Sequence, residues 1–81
     1  MKKHTKVQRD RLIFQGEIVD TGRGGIFRVK VMMGASETYV LATVGGKLQQ
    51  NMIKILLGDL VRVELSSFDT SRGRIVERVR R

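Results

Sequence analysis

The chain has 81 residues, no cysteine and a formal net charge of +8, a length that makes one domain with a compact core. Without cysteine there are no disulfides, thiolate metal sites or cysteine nucleophiles, and no apolar run approaches the ~20 residues of a membrane span. The basic excess lies at the two ends: Lys2, Lys3, Lys6, Arg9 and Arg11 against Asp10, and Arg72, Arg74, Arg78, Arg80 and Arg81 against Glu77, while residues 12–71 carry six charges of each sign. Such polarity is the electrostatic footprint of a polyanion binder.

Residues 1–11 are polar and lack periodicity, and read as a flexible basic arm. No apolar stretch follows them, so they do not form a secretory signal, and the expected compartment is the cytoplasm. His4 stands without other candidate ligands and is a tail residue, not a metal site. Leu12–Asp20 is the first strand, with Leu12, Phe14 and Ile18 opposed to Gln15 and Glu17. Gly16 in its middle predicts a bulge or a sharp bend. Residues 21–25 (TGRGG) form a turn; they do not match a P-loop, and no helical pattern follows them.

Ile26–Met32 is the second strand, with Phe27, Val29 and Val31 on one face and Arg28 and Lys30 on the other. Residues 33–37 are a loop. Thr38–Val44 is a third strand, so poor in polar residues that it is expected to be covered on both faces. Lys47–Ile55 is the one candidate helix, because Leu48, Met52 and Ile55 recur at helical spacing; Leu48 and Met52 are expected in the core. Leu60–Leu65 alternates as a fourth strand, with Val61, Val63 and Leu65 opposed to Arg62 and Glu64. Residues 66–72 are a polar turn, and Gly73–Val79 is a fifth strand carrying a comb of guanidinium groups. Guanidinium is planar and always charged, which suits phosphate.

Five short strands with a short helix between the third and fourth predict an all-β fold. Connections this short do not allow simple parallel crossovers. A closed five-stranded barrel removes exposed edges, and an oligonucleotide-binding (OB) barrel is plugged by such a helix. The expected organisation is a basic arm over residues 1–11 and an OB-fold RNA-binding domain of the S1 kind over 12–81.

Several pieces, taken in order, resemble bacterial translation initiation factor one. They are IFRV at Ile26–Val29, Gly46-Lys47, N-M-IKIL-GD over Asn51–Asp59, V-VEL over Val61–Leu65, and D-SRGRI over Asp69–Ile75 followed by Arg78 and Arg80. Order and spacing hold from Gly16 to Arg80. The resemblance implies a non-enzymatic OB-fold factor, without cofactor, that sits in the A site of the small ribosomal subunit. It would contact ribosomal RNA, block early tRNA entry and act with the other initiation factors. Away from the ribosome it would be a monomer, with no membrane partner. Carried over by position, its RNA-facing residues are Arg28, Lys47, Lys54, Arg72, Arg74, Arg78 and Arg80. Gln49 and Gln50 replace the family's usual basic pair at the same surface, so two charge-assisted bonds become neutral ones. Met52 stands where an aromatic is common, the loop over residues 32–38 is longer, and the basic arm is longer and more positive.

Three other readings compete. A general single-strand binder of cold-shock type needs several exposed aromatics. This chain has four aromatics, Phe14, Phe27, Tyr39 and Phe68; alternation puts Phe14 and Phe27 in the core, and Phe68 is the best single candidate for stacking. An enzyme is disfavoured because the acids are scattered, without a general acid/base pair or metal-ligand spacing. A module that docks an acidic protein is separated from an RNA binder by experiment, not by composition.

Overall fold

The computed structural model describes residues 11–79. The strands are β1 (Arg11–Thr21), β2 (Ile26–Met33), β3 (Ser36–Val44), β4 (Leu60–Ser66) and β5 (Asp69–Val79), with one short helix, α1 (Gly46–Gln50), between β3 and β4. They close into a barrel in the order β1-β2-β3-β5-β4, the expected OB fold. Most of the expected arm, residues 1–10, lies outside the described residues, and β1 begins one residue before the expected boundary. Among the described residues no helix is long and apolar enough to cross a membrane.

Alternation explains the core. Val29, Val31, Val40, Val61, Val63 and Ile75 are fully buried, with Ile18, Ala42 and Leu65 nearly so. They sit at every second position of their strands, so all five strands send side chains to one axis. Burying a side chain of this size contributes about 1.5–3 kcal/mol. Phe14 and Phe27 pack against the cluster, as alternation predicts. Leu48 from α1 and Ile55 complete the plug.

All neighbouring pairs are antiparallel except β3 and β5, which pair in parallel over Leu41↔Arg72 to Val44↔Ile75. No short crossover is needed, because the connection from β3 to β5 runs through α1 and β4. Strand β3 is covered on its inner face only. Tyr39 and Leu41 are exposed on the other, against the expectation that both faces would be covered.

Gly16 marks a close approach of chains. It pairs with Val31 on one side and Val61 on the other, and a Cβ there would lie 2.6 Å from Val29 Cγ1 and 2.7 Å from the Lys30 carbonyl oxygen. The register shift of β1 falls later, between Ile18 and Asp20. There Ile18 N–H donates to the Asp59 carbonyl at 2.9 Å and Gly58 N–H donates to the Ile18 carbonyl at 2.9 Å. The Asp59 carboxylate in turn accepts a bond from Leu56 N–H at 2.9 Å, the turn role its place after Gly58 suggests.

The helix is shorter than its periodicity predicts. It stops because Met52 takes φ = 56°. Ile53 N–H then donates to the Leu48 carbonyl at 3.0 Å and Met52 N–H to the Gln49 carbonyl at 3.1 Å. This is a Schellman-type cap with a methionine where glycine is usual. The cap turns the Met52 side chain outward, 86% exposed, instead of into the core beside Leu48. The left-handed conformation costs a non-glycine residue about 1–2 kcal/mol, while glycine loses up to about 1 kcal/mol to unfolded-state entropy. Met52→Gly is therefore expected to stabilise the barrel by about 0.5–1 kcal/mol, read from the midpoint of urea denaturation at unchanged slope.

The β4–β5 turn is also tighter than expected, since strand β5 begins at Asp69 rather than Gly73. Phe68 N–H donates to Ser66 Oγ at 3.1 Å. Asp69 Oδ1 accepts from Ser71 N–H at 3.1 Å and from Ser71 Oγ at 2.6 Å. Asp and Ser thus hold an extended strand start instead of an open loop.

Candidate nucleic-acid interface

Two irregularities in β5 decide where its arginines go. From Leu65↔Gly73 to Ser66↔Asp69, β4 advances one residue while β5 moves back four. Thr70–Arg72 therefore leaves the edge of β4, and Arg72 pairs with Leu41 of β3. Next, Arg62 pairs with Glu77 but Val63 pairs with Ile75, so Val76 is a bulge residue. A one-residue bulge reverses the alternation. Arg72 and Arg74 alternate with Gly73 and inward Ile75 and lie on the outer face; Arg78 instead shares the phase of buried Val61. The comb of guanidiniums is thereby split. Arg78 reaches over the barrel end, where its Nη1 donates to the Lys54 carbonyl at 3.0 Å.

Register places the remaining residues. Arg28, Leu41 and Arg72 are lateral neighbours across β2, β3 and β5, as are Ile26, Thr43 and Arg74. With strands ~4.8 Å apart, Arg28 and Arg72 stand about 10 Å from each other at their backbones. A recess lined by Gly45, Gly46, Lys47, Glu64, Arg74 and Val76 joins this face to α1. A further recess brings Gln49, Met52 and Lys54 together with Phe27 and Val44. The surface thus runs from Arg28 through Arg72, Arg74, Lys47, Gln49 and Lys54 to Arg78. Gln50 is exposed on the same helix. Arg80 lies outside the described residues.

The cations divide into two sets. Lys30 lies between Glu17 and Glu37, 3.9 Å from each, and Arg62 pairs with Glu77 at 3.6 Å. Arg74 Nη2 lies 3.5 Å from Glu64 Oε1, a carboxylate whose side chain is only 14% exposed. Among the described residues, Arg28, Lys47, Lys54, Arg72 and Arg78 form no ion pair. All five are exposed. Unpaired positive charge is therefore carried by five of the positions that the resemblance marks as RNA-facing, while Lys30, Arg62 and Arg74 of the same barrel wall lie against acids. Exposed cations free of acids are the ones that displace counterions on binding phosphate.

Phe68 is 82% exposed at the tip of the β4–β5 turn, so it does not pack on the barrel and remains the stacking candidate. Beside it, Asp69 has its carboxyl held below the usual value of 3.8, first by the Ser71 hydroxyl and then by the Ser71 backbone N–H. A lowered folded-state pKa favours the fold when the group is ionised. The turn therefore keeps this contribution above pH 3.8 and loses it as pH falls through the lowered value. An NMR titration of the Asp69 carboxyl should give a midpoint below 3.8 that returns toward it in Ser71→Ala.

Sequence reading did not single out Tyr39 and Leu41 as surface residues. Their signal was present in the alternation of β3, which puts both opposite Val40 and Ala42.

The barrel and its segregated charge define a small OB-fold protein with the surface of a polyanion binder. No family model matches the sequence. The chain is 38% identical over 74 residues to a chloroplastic translation initiation factor IF-1 from Calycanthus floridus var. glaucus, covering 91% of this chain and 92% of the relative. The solution structure of the same initiation factor from the Wolbachia endosymbiont of Brugia malayi superposes with a TM-score of 0.71 at 30% identity, over 89% of this chain and 82% of that one. The crystal structure of YjeQ from Thermotoga maritima shares the fold alone, at TM-score 0.68 and 23% identity over 86% of this chain and 23% of the larger one. The chain belongs to the translation initiation factor IF-1 family and is accordingly a translation factor, not an enzyme.

Proposed function

We propose that the protein binds the A site of the small ribosomal subunit during initiation and contacts ribosomal RNA there. It would act in that place with the other initiation factors, and it is a monomer away from the ribosome. The observation that carries this reading is the separation of its cations. Five exposed basic side chains that form no short ion pair among the described residues follow one surface, in a chain whose family works in initiation. Arg28, Arg72, Arg74, Lys47, Lys54 and Arg78 position the barrel on phosphates, and Gln49 and Gln50 add neutral hydrogen bonds. Arg80, which lies outside the described residues, is proposed as a further contact from the resemblance alone. The RNA is recognised by shape and by splayed bases more than by sequence. The proposed compartment is the cytoplasm, although the plant relatives are described as chloroplastic.

Sedimentation with small ribosomal subunits across a salt series, with and without excess unstructured RNA, tests this reading. Binding that survives the competitor and protects the A site in footprinting supports it. Binding abolished by the competitor assigns the protein instead to general single-strand binding, a reading that exposed Tyr39 and Phe68 would then serve.

A further inference from the structure

We propose that Met52 is a site of reversible oxidation, where a peroxide converts the exposed thioether to the sulfoxide and so weakens the hold of the neighbouring surface on RNA. The loss of affinity rests on the reading of that surface as an RNA interface; the oxidation does not.

Composition narrows the chemistry. The chain has no cysteine, so its four methionines hold all of its sulfur. Among side chains of one type, oxidation follows exposure. Met33 is half-buried and packs against the core. Met32 is 53% exposed and Met52 86% exposed. The exposure of Met52 is built into the backbone. Its φ of 56° and the bond from its N–H to the Gln49 carbonyl fix the helix end, and that cap keeps the side chain out of the core. An oxidant therefore reaches the sulfur without any opening of the barrel.

The step balances with one peroxide. A sulfur lone pair attacks one peroxide oxygen, an S–O bond forms and the O–O bond breaks. The sulfur loses two electrons, and the peroxide leaves as water, or as an alcohol and water where it is organic, after taking up the displaced protons. The return step takes two electrons and two protons from a dithiol, which becomes a disulfide while the oxygen leaves as water. The chain holds no thiol, so an external methionine sulfoxide reductase must supply them.

Location gives the product its effect. Met52 shares a recess with Gln49 and Lys54, and with Phe27, Val44 and Ile53. A thioether is a soft, apolar group in that setting. A sulfoxide is polar, with the negative end of its dipole on oxygen. The Gln49 amide and the Lys54 ammonium are hydrogen-bond donors, and the new oxygen competes with phosphate for both. The fold is spared, because the group that turns polar already stands in water. The same change at Met33 would set a polar group against the core.

The test exposes the full chain to a graded excess of hydrogen peroxide and maps the added oxygen by peptide mass spectrometry. Affinity is then measured for small ribosomal subunits and, in parallel, for a short unstructured RNA. Met52 is expected to gain oxygen before Met32 and well before Met33. The oxidised chain is expected to bind about fivefold more weakly, less than the loss of a whole hydrogen bond to a charged group, with its urea midpoint unchanged. Treatment with the reductases for both sulfoxide epimers and a dithiol should restore the affinity. Met52→Leu and Met52→Gly have no sulfur at this position, and each is expected to bind equally before and after peroxide. Oxidation of Met32 ahead of Met52 would overturn the proposal, as would an oxidised parent of unchanged affinity or an equal loss in the two variants. The two binding partners separate this outcome from the initiation reading. A chain that ignores the subunit but loses affinity for the RNA through Met52 keeps the oxidation site and loses that reading; one that binds the subunit equally well before and after oxidation does the reverse.

Discussion

The double variant Arg72→Glu/Arg74→Gln is expected to lose about 100-fold or more in affinity for the small ribosomal subunit at physiological salt. Both side chains are exposed on the outer face, on either side of Gly73. A hydrogen bond to a charged group is worth about 1.5–3 kcal/mol, so removing one at each position accounts for the factor, and the new carboxylate adds repulsion. The substitutions differ for a reason. Arg72 makes no short ion pair among the described residues and helps only from a distance to hold the exposed Asp69 carboxyl ionised, so reversal there costs the fold little. Arg74 lies 3.5 Å from the largely buried carboxylate of Glu64, and a glutamate at 74 would set like charges together inside the wall. The dependence of log affinity on log salt should also flatten, by about 0.7 for each phosphate that is no longer neutralised. Co-sedimentation over a salt series measures both quantities. A variant with parental affinity and slope would show that β5 faces away from the RNA.

Gly73→Ala should damage stability and binding together. An added Cβ would lie 2.8 Å from the Glu64 carbonyl oxygen and 2.8 Å from Val63 Cγ1, and would strike Leu65 as well. These atoms are backbone and buried core, not the free ends of surface side chains. Overpacking of this kind costs about 1–3 kcal/mol and occasionally more; with three unyielding neighbours, about 3 kcal/mol is expected. Domains of this size have ~5–15 kcal/mol in total. Any relief must come from moving β5 off β4, which carries Arg72 and Arg74 with it. Urea denaturation reads the stability, and affinity measured on the fraction that remains folded reads the displacement. A stability within about 0.5 kcal/mol of the parent would mean that β5 has room the packing does not show.

Much of the fold was legible because alternation and burial are the same fact in a small barrel. Val29 and Val31, then Val61, Val63 and Leu65, could be assigned inward from their spacing alone, and they are buried. The helix end was not legible. Leu48, Met52 and Ile55 keep helical spacing, but the chain leaves the helix through a methionine in a conformation that spacing does not report. The start of β5 was hidden for the opposite reason. Asp69 and Ser71 are turn formers by type, and here they bond to each other along an extended chain. Charge segregation pointed to the residues proposed for the candidate interface, but not to their grouping. Even-numbered arginines look like one comb until the bulge at Val76 reverses the phase before Arg78. A bulge of that kind depends on the register with a neighbouring strand, and a single chain read in order does not contain it.

The parallel pairing of β3 with β5 has a kinetic consequence. Leu41 meets Arg72 across 31 positions of sequence, so this seam forms only after a long loop has been closed, an entropic barrier that slows folding. The same event seats Ile75 against β3 in the core and lines up Arg72 and Arg74 beside Arg28 and Lys47. An incompletely folded chain thus has its positive charges scattered, and the candidate interface comes into being with the finished barrel. On the proposed function, affinity for RNA would arrive together with the completed fold in a single cooperative step.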